Sequence, residues 1–142
     1  MKFTEVKDYS LCIKKYFSMD QELIDKYHVI SGSTLDECCD RTIKDLDKMK
    51  TLKFFELENN IGFFGIEGKI FLSTLFVNPE YRTKECMQDI WNTMLSQLDA
   101  TFFTGFYSKN TRAINYFIKN GAKIIQERSH ESNPITILEY RR

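Results

Sequence analysis

Thiols and imidazoles have the widest chemical range of any side chains, and their spacing here argues against most of it. Cys12, Cys38, Cys39 and Cys86 include no C-x-x-C pair, and His28 and His130 stand far from them along the chain. A zinc site is usually seeded by short Cys or His spacings, so no metal is expected. Cys38 and Cys39 are neighbours on what reads as a helix, where successive residues project about 100° apart. That suits two buried thiols in a reducing compartment better than a disulfide framework. Among the carboxylates, Glu56 and Glu58 alternate on one short segment and could take a proton from an amine. What they can do depends on the elements that carry them.

The chain of 142 residues has room for one domain, residues 1–142. Twenty Lys plus Arg balance twenty Asp plus Glu, so there is no basic surplus for nucleic-acid phosphates and no nucleic-acid partner is expected. Hydrophobic residues at 42% and aromatics at 14% supply a core and exclude intrinsic disorder. No apolar run approaches a membrane span, and Met1 to Glu5 does not open a signal peptide. The expectation is a soluble protein with no membrane partner, in the cytoplasm or inside a virion.

Phe3 to Val6 suits a short edge strand. Cys12, Ile13, Tyr16, Phe17, Met19, Leu23, Ile24 and Tyr27 recur at helical spacing until Ser31-Gly32-Ser33. Thr34-Leu-Asp-Glu37 has the form of a capping box, so a helix should start there and bury Leu35, Cys38, Cys39, Ile43, Leu46 and Met49. The period then changes. Lys53 to Glu58 and Ile61 to Ile66 flank Asn59-Asn60, a pair that tolerates positive φ and predicts a two-residue hairpin turn. After a turn at Glu67-Gly68-Lys69, Ile70 to Val77 is apolar on both faces, the mark of a central strand. Cys86, Met87, Ile90, Trp91, Met94, Leu95 and Leu98 predict an amphipathic helix from about Lys84 to Leu98. Thr101 to Tyr107 reads as a strand, Thr111 to Asn120 as a helix, and Ala122 to Glu127 with Ile135 to Tyr140 as a closing hairpin. The fold class is therefore α/β, a central mostly antiparallel mixed sheet with helices on both faces.

This order, with two motifs, resembles the GNAT superfamily of acyl-CoA-dependent N-acetyltransferases over nearly the whole chain. Leu75-Phe-Val-Asn-Pro-Glu-Tyr-Arg82 before the amphipathic helix is similar to the family's fourth strand and the start of its pyrophosphate loop. Asn110-Thr-Arg-Ala113 through Tyr116-Phe117 to Lys119-Asn120-Gly121 is similar to the pattern on its last helix. The resemblance implies acetyl-CoA as cofactor if the protein is active. It implies a pantetheine arm against the backbone of Leu75, Phe76 and Val77, phosphates at Arg82, Thr83, Lys84, Glu85, Cys86 and Met87, and Asn110 in the same cofactor site.

Two departures from that pattern stand out. The family places glycine, or glycine and alanine, where this chain has Glu85 and Met87, because helix N-terminal amides must approach a diphosphate closely. A carboxylate about 5 Å from a phosphate charge costs roughly 3 kcal/mol at an effective dielectric of 20, which is about a hundredfold in affinity. Arg82 and Lys84 are expected to offset part of it. The resemblance also puts Phe117 where the family's Tyr protonates the departing thiolate, and phenylalanine has no proton to give. Tyr116 is adjacent but about 100° around the helix, so it is expected to face the core. Glu56 and Glu58 are weak candidates for a general base, alternating acidic residues being commoner on a solvated face.

Asn110-Thr-x-x-Ile114 through Tyr116 to Gly121-Ala122 is also similar to small GNAT-like internal head proteins of short-tailed phages. That likeness implies a GNAT fold kept for assembly. The sequence thus favours a non-catalytic or weakly catalytic binding or assembly component, in a phage particle for instance, with protein partners and weak or absent acyl-CoA binding. Its contact surface would lie on the first two helices around Lys14, Lys15, Asp25, Lys26, Lys44, Asp45 and Lys48. The alternative is an active acetyl-CoA-dependent N-acetyltransferase acting on a primary amine.

Overall fold

Asn59 and Asn60 both take a φ of 56°, a left-handed conformation that asparagine tolerates, and the Ile61 amide donates to the Glu58 carbonyl at 3.0 Å. The turn joins β2 (Leu52–Leu57) to β3 (Gly62–Glu67) as the Asn pair predicts. With β1 (Phe3–Glu5), β4 (Phe71–Val77), β5 (Thr101–Tyr107), β6 (Lys123–His130) and β7 (Asn133–Arg141), these form a seven-stranded sheet in the order β1-β2-β3-β4-β5-β7-β6. The structure is a computed structural model that describes residues 1–28, 34–130 and 133–142, without the side chains of Leu23, Tyr27, His28 and His130. The expected helix stop at Ser31-Gly32-Ser33 lies outside the described residues. So do the side chains of Leu23 and Tyr27 in the first apolar stripe.

Pairing is antiparallel throughout except between β4 and β5, and β4 is the middle strand, as its two-sided apolar run requires. Gly68 and Lys69 take φ values of 60° and 62°. They turn the chain so that Ile70 closes the turn, its amide donating to Glu67. Ile70 therefore stands outside the strand at 51% exposure, which corrects the expected start.

The helices divide between the two faces. On one lie α1 (Tyr9–Phe17), α2 (Gln21–Leu23), which runs into a π-helical turn at Ile24–His28, and α3 (Leu35–Asp47). Their Cys12, Ile13, Tyr16, Phe17, Ile24, Cys38, Cys39 and Leu46 pack on Phe54, Phe63 and Phe76. Met19, expected in this stripe, falls in the break after α1 and is half-exposed. The other face carries α4 (Lys84–Leu95) and α5 (Thr111–Lys119), whose Ile90, Trp91, Met94, Ile114 and Phe117 pack on Phe55, Phe64, Leu72, Phe102 and Leu138. The amphipathic helix ends at Leu95 instead of Leu98 because the Gln97 and Leu98 amides reach back only three residues, to Met94 and Leu95. Leu98 is buried all the same. Among the described residues no helix is long and apolar enough to cross a membrane.

The capping box forms as read: Thr34 Oγ1 accepts from the Glu37 amide and Glu37 Oε1 from the Thr34 amide, both at 3.1 Å. Thr34→Ala is expected to lose about 1 kcal/mol, seen as a lower urea midpoint at unchanged slope. Thr34→Asn should restore most of it.

Candidate functional site

The site begins with one extra residue. Gly65 pairs with Thr74 and Ile66 with Leu72, so Ser73 is unmatched on β4. Such a bulge bends the strand and reverses the faces of the residues that follow. Leu72 accordingly joins the α4–α5 core, whereas Phe76 joins the α1–α3 core. On its other side β4 pairs with β5 only through Phe71↔Phe103 and Leu72↔Thr104. β5 continues along β7 to Tyr107, so the two strands part beyond Leu72.

The gap is a cavity of about 1080 Å³, walled by Leu75, Phe76 and Val77 of β4, Gly105 and Phe106 of β5, α5, and Thr42 and Asp45 of α3. Ser73 borders the cleft, but its Oγ is buried on the side of Gly65 in β3, without a hydrogen-bond partner. Orphaned polar atoms are rare enough in interiors to point to a missing bond.

Of the residues singled out in the sequence, Leu75, Phe76, Val77, Arg82, Met87 and Asn110 line the cleft, whereas Thr83, Lys84, Glu85 and Cys86 do not. Arg82 is already engaged. Its Nη2 donates to Asp20 Oδ2 at 2.7 Å and its Nε to the Val77 carbonyl at 3.0 Å. Sequence reasoning missed Asp20, which precedes α2 and lies 62 residues from its partner, with no local signal to reveal it. Asn110 Oδ1 caps α5 by accepting from the Ala113 amide at 3.3 Å. At α4, Thr83 Oγ1 accepts from the Cys86 amide at 3.3 Å, and Glu85 sits exposed in the first turn, where the helix dipole favours a negative charge. Burial pushes the Cys86 thiol up, with Asp89 adding to it, so it is a poor nucleophile.

Tyr116 and Phe117 are neighbours on α5 with different surroundings. Phe117 is fully buried, its ring 5.2 Å from Trp91 and 5.3 Å from Phe106. Tyr116 packs on the same core as expected, edge-on to Trp91 at 5.7 Å, and also lines the cleft, its Oη donating to the Met87 carbonyl at 2.6 Å. The reason is angular: Ile114 and Phe117 set the inward stripe of α5, and a neighbour about 100° away lies at its boundary, here the edge beside the gap. Burial raises the Tyr116 phenol well above its ordinary range, with Cys86 adding, so the hydroxyl stays protonated.

The carboxylate candidates lie elsewhere. Glu56 Oε2 accepts from Lys15 Nζ at 2.8 Å and from Tyr16 Oη at 2.7 Å. Burial pushes its carboxyl up, but the bonds from Lys15 and Tyr16 and the Lys15 charge outweigh this and hold it below the usual range. Such a carboxylate is a weak base. Glu58 Oε1 accepts from the Lys2 amide at 2.8 Å. Both residues border a separate depression of about 320 Å³ and not the cleft.

No family model matches the sequence, and no curated protein does either. Solved structures are another matter. A GCN5-related N-acetyltransferase from Rhodopseudomonas palustris superposes with a TM-score of 0.67 at 15% identity, over 99% of this chain and 94% of that one. This is the GNAT acetyltransferase fold. A GNAT-family acetyltransferase from Bacillus cereus ATCC 10987 gives 0.60 at 18% identity over 99% and 96% of the two chains. The Vibrio cholerae spermidine N-acetyltransferase, solved with CoA and spermine, gives 0.58 at 10% over 97% and 93%.

Against a CoA-like ligand the two ends of this GNAT cleft differ. The parted strands leave β4 backbone beyond Leu72 unpaired toward β5, which fits the amides of a pantetheine arm. The start of α4 does not fit a diphosphate: Glu85 brings a negative charge, the Cys86 amide is taken by Thr83, and Arg82 is held by Asp20.

Proposed function

We propose that this chain transfers an acyl group from a pantetheine thioester to a primary amine, with weak affinity for free CoA. The carrying observation is the Tyr116 hydroxyl in the wall of a cleft opened by the parting of β4 and β5. A pantetheine thioester supplies the acyl group. As the acceptor nitrogen forms its bond to the carbonyl carbon, the C–S bond breaks. Tyr116 Oη, swinging off the Met87 carbonyl, gives its proton to the sulfur. The nitrogen sheds its surplus proton to water, from which Tyr116 is reprotonated. The acceptor, as the neutral amine, enters past α2 and α3, where Glu22, Lys26 and Asp45 line the cleft.

The test is acetyl transfer at millimolar acetyl-CoA to a panel of amines that includes spermidine and peptide N-termini, read by mass spectrometry. Slow product with at least one amine is expected. No product with any of them, from folded protein, would sink the reading.

A second reading, the assembly component, draws on a different observation. Ile124 and Ile125 are half-exposed on the edge strand β6, and Ile118 on α5 is 43% exposed. On the first two helices Leu11 is also exposed, at 68%, beside the charged residues expected there. Stable interfaces bury about 800 Å² per partner. Sedimentation of the protein from its source tests it: migration with a large particle supports it, and a lone monomer excludes it.

A further inference from the structure

We propose that the acceptor is a primary amine on an apolar body, of the arylalkylamine kind, and not a polyamine. This rests on the acyltransfer reading above and names its substrate class. It starts from a part of the sheet that the helices leave bare. The core beneath α1, α2 and α3 takes Phe54, Phe63 and Phe76 from β2, β3 and β4, and no described residue from β5 or β7. On those two strands Phe102, Phe106 and Leu138 turn into the α4–α5 core. The alternate register pairs, Gly105 with Ile137 and Tyr107 with Ile135, therefore point to the other face. They line the cleft there, half-buried, as do Leu46 and Met49 at the end of α3. Gly105 lets the two isoleucines close over it, since a Cβ at that position would stand 3.0 Å from Ile137 Cδ1 and 3.4 Å from Ile135 Cγ2. The floor is apolar, and covering it with an apolar ligand removes that area from water.

The charges around the cleft point the same way. Lys26, Arg82, Arg112 and Lys119 outnumber Asp20, Glu22 and Asp45 among its described lining residues. Asp20 and Asp45 are moreover paired, with Arg82 at 2.7 Å and with Lys48 at 3.9 Å. A polyamine brings several positive charges, each of which needs an anionic partner in such surroundings. An amine with one ionisable nitrogen enters neutral and needs none. The floor also lies on the side from which that nitrogen must come. Tyr116 stands on α5 across the sheet, so the acceptor and the departing sulfur meet the parted strands from opposite faces.

Steady-state kinetics of the full chain at millimolar acetyl-CoA separate four acceptors: phenethylamine, ethanolamine of similar basicity, spermidine and a phenylalanyl peptide. Phenethylamine is expected to exceed ethanolamine and spermidine in kcat/KM by about tenfold or more, the scale on which apolar pockets discriminate. Ile137→Ser should cut the phenethylamine-to-ethanolamine ratio by about tenfold, through the KM for phenethylamine. Ile135→Ser provides the same test where Ile137→Ser does not fold. The lower KM of phenethylamine or of the phenylalanyl peptide supports the proposal and assigns the source, a free amine or a chain N-terminus. Spermidine or ethanolamine matching phenethylamine, or an unchanged ratio in folded serine variants, overturns the substrate class and leaves acyl transfer standing. No product from any amine overturns both.

Discussion

Trp91→Ala should destabilise the protein by about 3–5 kcal/mol, the range for truncating a large buried aromatic. Trp91 is 4% exposed and is the hub of the α4–α5 core, meeting Phe117 and Tyr140 edge-on at 5.2 Å and Tyr116 at 5.7 Å. Its removal loses apolar burial, three edge-to-face contacts, and the packing of the residues around the resulting hole. Thermal denaturation checks this, with an expected fall of about 10–20 °C. Trp91→Phe should cost much less, because the core retains an aromatic ring. If Trp91→Ala melted within a few degrees of the parent, the packing described for this face would be wrong.

Tyr116→Phe should lower kcat for amine acetylation by about 10² to 10³, within the range for losing a general acid. It should leave the fold nearly intact, since the lost hydroxyl donates only to the Met87 carbonyl at the cleft edge. The pH profile gives a second readout. Because burial raises the phenol, the acid form persists beyond pH values where a free tyrosine titrates, near 10. The parent rate should therefore climb as the acceptor amine deprotonates and show no fall up to about pH 10. Phe117→Tyr should gain nothing, because that position faces the core at 0% exposure. Turnover by Tyr116→Phe equal to the parent would remove Tyr116 from the mechanism.

Local physics was legible along the chain. Thr34 and Glu37 satisfy each other's backbone donors three residues apart, Asn59 and Asn60 adopt the left-handed turn that their type allows, and the paired apolar spacing of α4 puts Ile90, Trp91 and Met94 inside. Each depends on neighbours within a turn or two, so residue type and spacing carry the information. In the sheet, Phe54 and Phe55 enter opposite cores, as successive residues of a strand must.

The cleft was not legible in this way. Ser73 becomes a bulge only when β3 and β4 settle their register, and Gly62, opposite Val77 at the other end of β3, is needed because a Cβ would stand 2.0 Å from the Phe76 carbonyl oxygen. Arg82 finds Asp20 from 62 residues away, and the roll of α5 lets Tyr116 pack on Trp91 and still border the gap. The sequence by itself determined which segments are helices and strands and which faces they bury, since those follow from backbone preference and apolar period. Only the tertiary structure decided where β4 and β5 part, which charges are neutralised and which hydroxyl meets the cleft. Those features arise between elements far apart in sequence, where a shift of one residue in register or about 100° in helix roll changes the outcome.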